Sequence, residues 1–182
     1  VISFDQNHNM FSILEHSSNI VAGCVVTLFD DGKYINVDST LLGRVTDAFG
    51  KPLDDKPLPE IKNKWPLMGK SMNPLKRSLI KKPLDVGVRI INALLTVGRG
   101  QRLGIIAGSG VGKSVLLSMM SKYTDADVVV IALIGERARE VGAMVNDLFD
   151  DETSKKLTVV AVPADRSPLM RIRAANSATA IA

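Results

Sequence analysis

The sequence has one cysteine, two histidines and few aromatic residues, and these shortages exclude several classes of protein. The single thiol, Cys24, cannot form an internal disulfide, which fits a reducing compartment. Because Cys24 lies in the apolar run 21–26, we expect it to be buried and unreactive. His8 and His16 have no partners at zinc-ligand spacing, so no zinc site is expected. An aromatic content of 4% argues against a surface of stacked rings that binds single-stranded nucleic acid.

Long apolar runs are also missing, since none approaches the roughly 20 residues that span a bilayer. No signal peptide is visible. The composition of the 182 residues, 46% hydrophobic and 23% charged, is that of a globular domain. The chain starts at Val1 and reaches Ala182 within an apolar, alanine-rich run. We therefore expect it to be a truncated piece from the middle of a longer protein.

Three regions of the chain differ in their sequence pattern. Residues 1–36 contain the strand-like runs 11–14 and 25–29 and a turn signal at 30–32, which predict the remnant of a small N-terminal β-barrel domain. Residues 37–182 are expected to form the N-terminal part of a second domain. It would consist of an extended connector over 37–83 and a βα core over 84–182.

The connector is rich in proline and in positive charge. Residues 51–83 hold six of the eight prolines, which prevents a long helix or a central strand. Between Lys51 and Lys82 there are nine basic residues and three acidic ones. Such a segment is either a solvated linker or a surface for an acidic partner, nucleic acid or membrane. Trp65 is expected to pack and pin the connector, and 41–46 is a further strand candidate.

The core region alternates between helical and strand periodicity, which predicts an α/β fold with a parallel sheet and helices on both faces. The predicted helices are an amphipathic segment at 86–95, then Lys113 to Tyr123, 136–149 and 169–182. The predicted strands are 103–107, 127–134 and 157–162. Within the second helix, Val115, Leu116, Met119 and Met120 are expected to face the core.

The most specific motif is Ala-Gly-Ser-Gly-Val-Gly-Lys-Ser at 107–114, a P-loop in which Ala107 replaces the usual first glycine. Its glycines let backbone N–H groups turn inward, and the following helix adds its positive N-terminus. Lys113 would neutralise the β- and γ-phosphates of ATP, and the Ser114 hydroxyl would bind Mg²⁺. The predicted nucleotide-binding residues are Gly108, Ser109, Gly110, Val111, Gly112, Lys113, Ser114 and Val115.

A second motif, Gly-Glu-Arg-Ala-Arg-Glu at 135–140, follows the next apolar strand. Ligands of parallel sheets bind outside the carboxyl ends of the strands, so Glu136 should lie near the nucleotide and polarise the attacking water. Glu140, one helical turn on, would join a second shell around Mg²⁺. Arg137 and Arg139 would neutralise phosphate or reach across a subunit boundary. The other interpretation is a charged helix N-terminus in which Glu136 is favoured by the helix dipole.

Taken in order along the chain, these motifs resemble the type III secretion ATPases, a family related to the catalytic β subunit of rotary ATP synthases. Within that family, 163–165 and 167–169 look most like the flagellar export ATPase. The other segments that carry the resemblance are 38–54, 81–89, 94–102, the P-loop and 133–137. The resemblance implies a RecA-like P-loop NTPase core in which Glu136 is the general base, with Arg137 and Glu140 as neighbours.

The resemblance also implies partners and a location. The protein would work as a homohexameric ring in the cytoplasm, peripheral to the inner face of the bacterial membrane. It would bind export-apparatus proteins, a regulatory stalk-like subunit and chaperone–cargo complexes. It is not expected to bind nucleic acid. Ala138 departs from the family, which usually has glycine there. The Walker B aspartate, the adenine-stacking aromatic and the arginine finger would lie beyond Ala182, so residues 1–182 alone are not expected to be a competent enzyme.

Three functions remain in competition at this point. The first is a protein-export ATPase, the second a non-catalytic nucleotide-binding ring subunit, and the third a hexameric nucleic-acid translocase of the transcription-termination type. The carboxylate of Glu136 favours the first over the second. The shortage of aromatic residues disfavours the third.

Overall fold

The computed structural model describes residues 3–4, 8–11, 13, 20–27, 32–108, 110–149 and 155–182. The strands are β1 (Ser3–Phe4), β2 (Asn9–Met10), β3 (Tyr34–Asn36), β4 (Arg44–Thr46), β5 (Lys64–Pro66), β6 (Val129–Ile134) and β7 (Leu157–Val162). The α-helices are α1 (Arg89–Leu94), α2 (Lys113–Tyr123), α3 (Ala138–Phe149) and α4 (Pro168–Ile181). Short 3-10 turns occur at Ser39–Leu41 and Pro74–Lys76.

A three-stranded parallel sheet in the order β4–β7–β6 forms the centre of the fold. All six residues of β7 are buried, as a strand covered on both faces requires. Its side chains alternate: Leu157, Val159 and Ala161 pack on the α3 side of the sheet, while Val160 and Val162 pack on the α4 side. The predicted parallel sheet with helices on both faces is confirmed, and so are α2, α3, α4, β6 and β7, with shifts of at most two residues at their ends.

A loop before the P-loop packs on α2. Its ends pair through the antiparallel bridge between Pro83 and Gly98, and it carries the short helix α1 between them. Its buried valines, 86, 88 and 97, pack with Leu116 and Met120 of α2. The predicted helix at 86–95 is therefore right in type but shorter, at Arg89–Leu94. Gly87 has a φ of 74° and lies against Tyr123, so any side chain there would clash with the end of α2.

The predicted strand at 103–107 is wrong. The described part of the chain has no strand between 101 and 108, and the Ile106 side chain is 99% exposed. A strand requires a neighbouring backbone to pair with, and 103–107 pairs with neither β4 nor β6. An apolar run of five residues suggests a buried strand, but it does not show whether another strand is available to pair with it.

Cys24 is exposed, so the expectation of a buried thiol is also wrong. It follows a turn at Gly23, where φ is 94°, and Val25 beside it is 88% exposed. The described residues of the runs 11–14 and 25–29 form no strand, while 12, 14, 28 and 29 and most of the turn at 30–32 lie outside the described residues. The β-barrel remnant stays a prediction.

The segment 37–83, predicted as an extended connector, contains β4 of the central sheet, two 3-10 turns and β5, which pairs antiparallel with β3. It contains no α-helix. Trp65 lies in β5 opposite Ile35, but its side chain is 46% exposed and contacts the Lys70 ammonium at 5.5 Å from the ring centre. It therefore anchors the connector through backbone pairing more than through burial. The predicted strand at 41–46 begins only at Arg44, because a 3-10 turn occupies Ser39–Leu41. On α2, Leu116 and Met120 face the core as expected, whereas Val115 and Met119 are exposed.

An ion pair fastens the loop after β4 to the sheet. Arg44 donates two hydrogen bonds to Asp54, at 2.7 and 2.9 Å, and two more to the backbone carbonyls of Lys56 and Pro57. Both side chains are largely buried, at 11% and 14% exposure. The hydrogen bonds from Arg44 lower the pKa of Asp54 to about 2, because they favour the ionised carboxylate.

We expect Asp54→Asn to lower the free energy of unfolding at pH 7 by about 2 kcal/mol, the equivalent of the pKa shift. The contribution of Asp54 is complete above its unfolded pKa near 4 and is lost as the pH falls from about 4 to about 2. Urea unfolding at pH 7, 5, 4 and 3 measures this, so the difference between wild type and variant should shrink with acid. Asp125→Asn, which removes an exposed pair with Arg99, is the control. A difference that does not change with pH would contradict the assignment.

Candidate functional site: a phosphate cavity at the carboxyl edge of the sheet

The P-loop ends in glycines that hold conformations unfavourable for other residues. Gly110 has a φ of 77° and Gly112 a φ of 96°, and Gly112 caps the N-terminus of α2. No side chain caps this helix, and its first intrahelical hydrogen bond runs from the Leu116 N–H to the Gly112 carbonyl. The N–H groups of 113–115 therefore have no partner within the helix. This end of α2 can bind an anion through N–H groups and the helix dipole.

Glu136 is fixed by the sheet rather than by its own helix. Strand β6 ends at Ile134, and Gly135 then turns the chain with a φ of 76°. The Gly135 N–H donates to the Val162 carbonyl, and the Ala164 N–H donates to the Glu136 carbonyl, both at 2.9 Å. These two bonds tie the backbone around Glu136 to the end of β7. The carboxylate consequently lies at the carboxyl edge of the parallel strands, where such sheets bind ligands.

The P-loop and Glu136 border one cavity of about 590 Å³, within the range of small-molecule sites. The cavity is lined by Ala107, Gly108, Gly110, Gly112, Lys113, Ser114, Val115, Glu136 and Glu140. The Lys113 ammonium lies 3.7 Å from the Glu136 carboxylate, and both side chains are about 40% exposed. The cavity thus brings a cation, a hydroxyl and two carboxylates together beside a helix N-terminus.

Most of the predicted site residues meet in this cavity; Arg137, Arg139 and Val111 are the exceptions among the described residues. Arg137 does not line it, and its side chain is 69% exposed and pairs with Glu140 at 3.7 Å. Val111 is 68% exposed and is also absent from the cavity wall. Ser109 lies outside the described residues. The predicted catalytic role of Arg137 therefore stays a prediction.

Ala138, where the resembling family has glycine, causes no strain. It is the first residue of α3, and its φ is not positive. Alanine is the better helix former of the two, by roughly 1 kcal/mol in a helix interior. Alanine is therefore compatible with the start of α3.

The donor set of the cavity suits Mg²⁺ only in combination with phosphate. In the part of the chain that the structure describes, no group of three or more acidic, histidine or cysteine side chains could hold a metal on its own. Ser114, Glu136 and Glu140 supply one hydroxyl and two carboxylates. Magnesium is typically bound in this way, by one or two protein oxygens together with substrate phosphates and water.

Sequence reasoning missed a polar contact between the two helices that leave the cavity. Asp147 of α3 accepts hydrogen bonds from Ser118 and Lys122 of α2, the latter at 2.9 Å. The hydrogen bond from Ser118, together with Lys122, holds the pKa of Asp147 below its usual value. The signal in the sequence was the spacing of Ser114, Ser118 and Lys122, which repeats every four residues and so marks one helix face.

Comparison with known proteins matches residues 87–182 to the ATP synthase alpha/beta family, nucleotide-binding domain. The flagellum-specific ATP synthase of Pseudomonas aeruginosa is 52% identical over 158 residues, which are 87% of this chain and 35% of that protein. The flagellum-specific ATP synthase of Salmonella typhimurium is 46% identical over 189 residues, covering 100% of this chain and 41% of that protein.

Among solved structures, the assembled ATPase EscN in complex with its central stalk EscO, from the type III secretion system of enteropathogenic E. coli, superimposes with a TM-score of 0.85. It is 42% identical, and the match covers 93% of this chain and 42% of that one. The chain thus spans well under half the length of these relatives. With a fold, a P-loop cavity and a family model that agree over residues 87–182, the chain belongs to the ATP synthase alpha/beta family.

Proposed function

We propose that this chain is the nucleotide-binding part of an ATP-hydrolysing motor subunit in a flagellar-type, type III protein export apparatus. The observation that carries the proposal is the shared cavity of Lys113, Ser114 and Glu136 at the carboxyl edge of the sheet. The similarity to flagellum-specific ATP synthases and to the secretion ATPase EscN supports the choice of process.

The proposed reaction is attack of water on the γ-phosphorus of ATP. The N–H groups at the start of α2 and the Lys113 ammonium hold the β- and γ-phosphates, and they stabilise the charge that moves onto the leaving ADP oxygen. Glu136 orients the water and accepts its proton as the new P–O bond forms and the bond to ADP breaks. Magnesium, held by Ser114 with Glu140 nearby, would neutralise phosphate charge. Arg137, at the rim, is close enough to Glu140 to position that carboxylate.

The 3.7 Å contact between Lys113 and Glu136 favours hydrolysis over mere binding of nucleotide. A subunit that only binds nucleotide needs the lysine and the loop but has no use for a carboxylate on the phosphate side. The competing translocase interpretation has no comparable support, because the exposed connector carries a single tryptophan, Trp65, which already contacts Lys70.

We further propose the assembly and location that the relatives suggest. The subunit would form a homohexameric ring and contact a stalk-like subunit, since the assembled EscN is found in complex with its central stalk EscO. Export-apparatus proteins and chaperone–cargo complexes would be its other partners. The ring would lie in the cytoplasm against the membrane, and the lysines of the connector would face its acidic lipids. Among the described residues, the structure contains no helix with the length and apolar character needed to span a bilayer.

Replacing Lys113 with alanine should abolish ATP hydrolysis in the full-length protein while the fold survives. The reason is that the change removes a phosphate-facing charge from a partly exposed side chain. Phosphate release and the unfolding midpoint are the two measurements. Lys81→Ala, an exposed lysine of the connector, is the matched control and should keep its activity. Retained turnover in Lys113→Ala would refute the P-loop assignment.

Replacing Glu136 with glutamine should separate binding from chemistry. Glutamine keeps the size and hydrogen-bonding capacity but cannot accept the proton, so kcat should fall by about 100-fold or more. Affinity for ATP should stay the same or rise, since the neighbouring Lys113 loses a competing carboxylate. Single-turnover kinetics and nucleotide titration measure the two effects, with Glu60→Gln on the connector as control. If affinity and kcat fell in parallel, Glu136 would be structural or metal-linked instead.

Ring assembly should make the activity depend on concentration. A neighbouring subunit that completes the site with an arginine contributes about 1,000-fold or more in rate. The rate per subunit of the full-length protein should therefore rise with protein concentration, because rings form by mass action. Specific activity across a dilution series, with light scattering for mass, tests this. Constant specific activity in a persistent monomer would disprove the shared site.

A further inference from the structure

Two helices leave the nucleotide cavity, α2 from its phosphate-binding end and α3 from a point just after Glu136. Helix α2 begins at Lys113, directly after the last P-loop glycine, and α3 begins at Ala138, two residues after Glu136. A helix behaves as a rod over its length, with 1.5 Å of rise per residue. Glu136 is held by the sheet, and α3 packs on the same sheet through Val141 and Val145. The placement of α2 relative to α3 therefore contributes to the distance between the phosphate-binding end of α2 and Glu136.

The faces that α2 and α3 turn toward each other carry both polar and apolar side chains. The apolar residues Leu116 and Met120 of α2 pack on the loop at 84–97, and Val141 and Val145 of α3 pack on the sheet. A groove of about 420 Å³ remains between the two helices. It is lined by Ser114, Val115, Ser118, Met119, Lys122, Tyr123, Ala143, Met144 and Asp147. Ser114 and Val115 also line the nucleotide cavity, so the groove continues from it.

Asp147 bridges this groove. Its two carboxylate oxygens accept from different turns of α2: Oδ2 from the Ser118 hydroxyl and Oδ1 from the Lys122 ammonium at 2.9 Å. Ser118 is buried, and the Lys122 side chain is only 11% exposed. The Asp147 side chain is 53% exposed, but both of its partners on α2 are largely buried, and hydrogen bonds that involve a charge are about twice as strong as neutral ones. This contact, the clamp, therefore links α3 to a largely buried part of α2. The clamp joins one residue of α3 to two successive turns of α2.

We propose that Asp147 is a positioning residue for ATP hydrolysis. By holding α2 to α3, it keeps the phosphates bound at Lys113 and Ser114 within reach of the water oriented by Glu136. This inference rests on the proposed function. Asp147 itself lies two helical turns from Glu140 and is absent from the wall of the nucleotide cavity.

The test is the division of the effect between kcat and KM in the full-length enzyme. In Asp147→Ala the P-loop contacts persist, so KM for ATP should change less than about threefold, while kcat should fall by about 10-fold, since a displacement of 1 Å can cost up to about 100-fold. Asp125→Ala, which removes the exposed pair with Arg99 just after α2, is the matched control and should match wild type. An unchanged kcat in Asp147→Ala would overturn the proposal.

A charge exchange separates positioning from simple loss of stability. Lys122→Asp and Asp147→Lys should each lower kcat, and the double variant should recover most of it by restoring the ion pair between the helices. If the double variant were no faster than the slower single variant, the clamp would not position the site. Should Asp147→Ala fail to fold, Ser118→Ala removes one bond of the clamp and should lower kcat at a temperature where the variant is still fully folded; an unaffected kcat would count against the proposal. Failure of the proposed function would show instead as a wild-type protein without ATPase activity.

Discussion

The pairing of β6 with β7 is the constraint on which the site depends. Strand β7 is buried on both faces, and six consecutive residue pairs align it in parallel with β6. Parallel alignment brings the carboxyl ends of both strands to one edge of the sheet. There the Gly135 N–H donates to the Val162 carbonyl, and the Ala164 N–H donates to the Glu136 carbonyl. The general-base candidate is therefore positioned by the most buried part of the protein. The loop that carries Glu136 can remain half-exposed and polar because its backbone is held by the sheet.

Most of the residues that line the cavity, and the cores of the elements that carry them, could be predicted from the sequence. The P-loop dictates a helix start at Lys113, and the apolar runs at 127–134 and 157–162 are long enough to indicate buried strands. The pattern of apolar residues indicates which side chains are buried and whether a segment is a helix or a strand, but it does not indicate which segment pairs with it. For this reason the run 103–107 predicts a strand although it pairs with nothing described, and the run around Cys24 predicts a core that its exposed turn does not form.

The contacts between α2 and α3 also could not be predicted from the sequence, because the sequence does not show which elements are neighbours. Serine and lysine at four-residue spacing on α2 indicate a polar helix face. From the sequence alone, such a face is predicted to be exposed to solvent. Only the placement of α3 supplies Asp147 as the partner of Ser118 and Lys122. The fold thus converts an ordinary polar stripe into a link between the helix that starts at the phosphates and the helix that starts at the carboxylate. A helix tied in this way can keep Lys113 in place relative to Glu136, which the sheet holds.

The central claim is that the start of α2 and the end of β6 form one site for nucleotide phosphates. A backbone amide NMR titration with Mg-ADP tests it most directly, because each N–H reports on its own surroundings. We expect large shifts for the amides of Gly110, Gly112, Lys113 and Ser114, with smaller shifts around Glu136, and none along the connector at 68–83. Shifts confined to the connector, or no shifts at P-loop amides under saturating nucleotide, would contradict it.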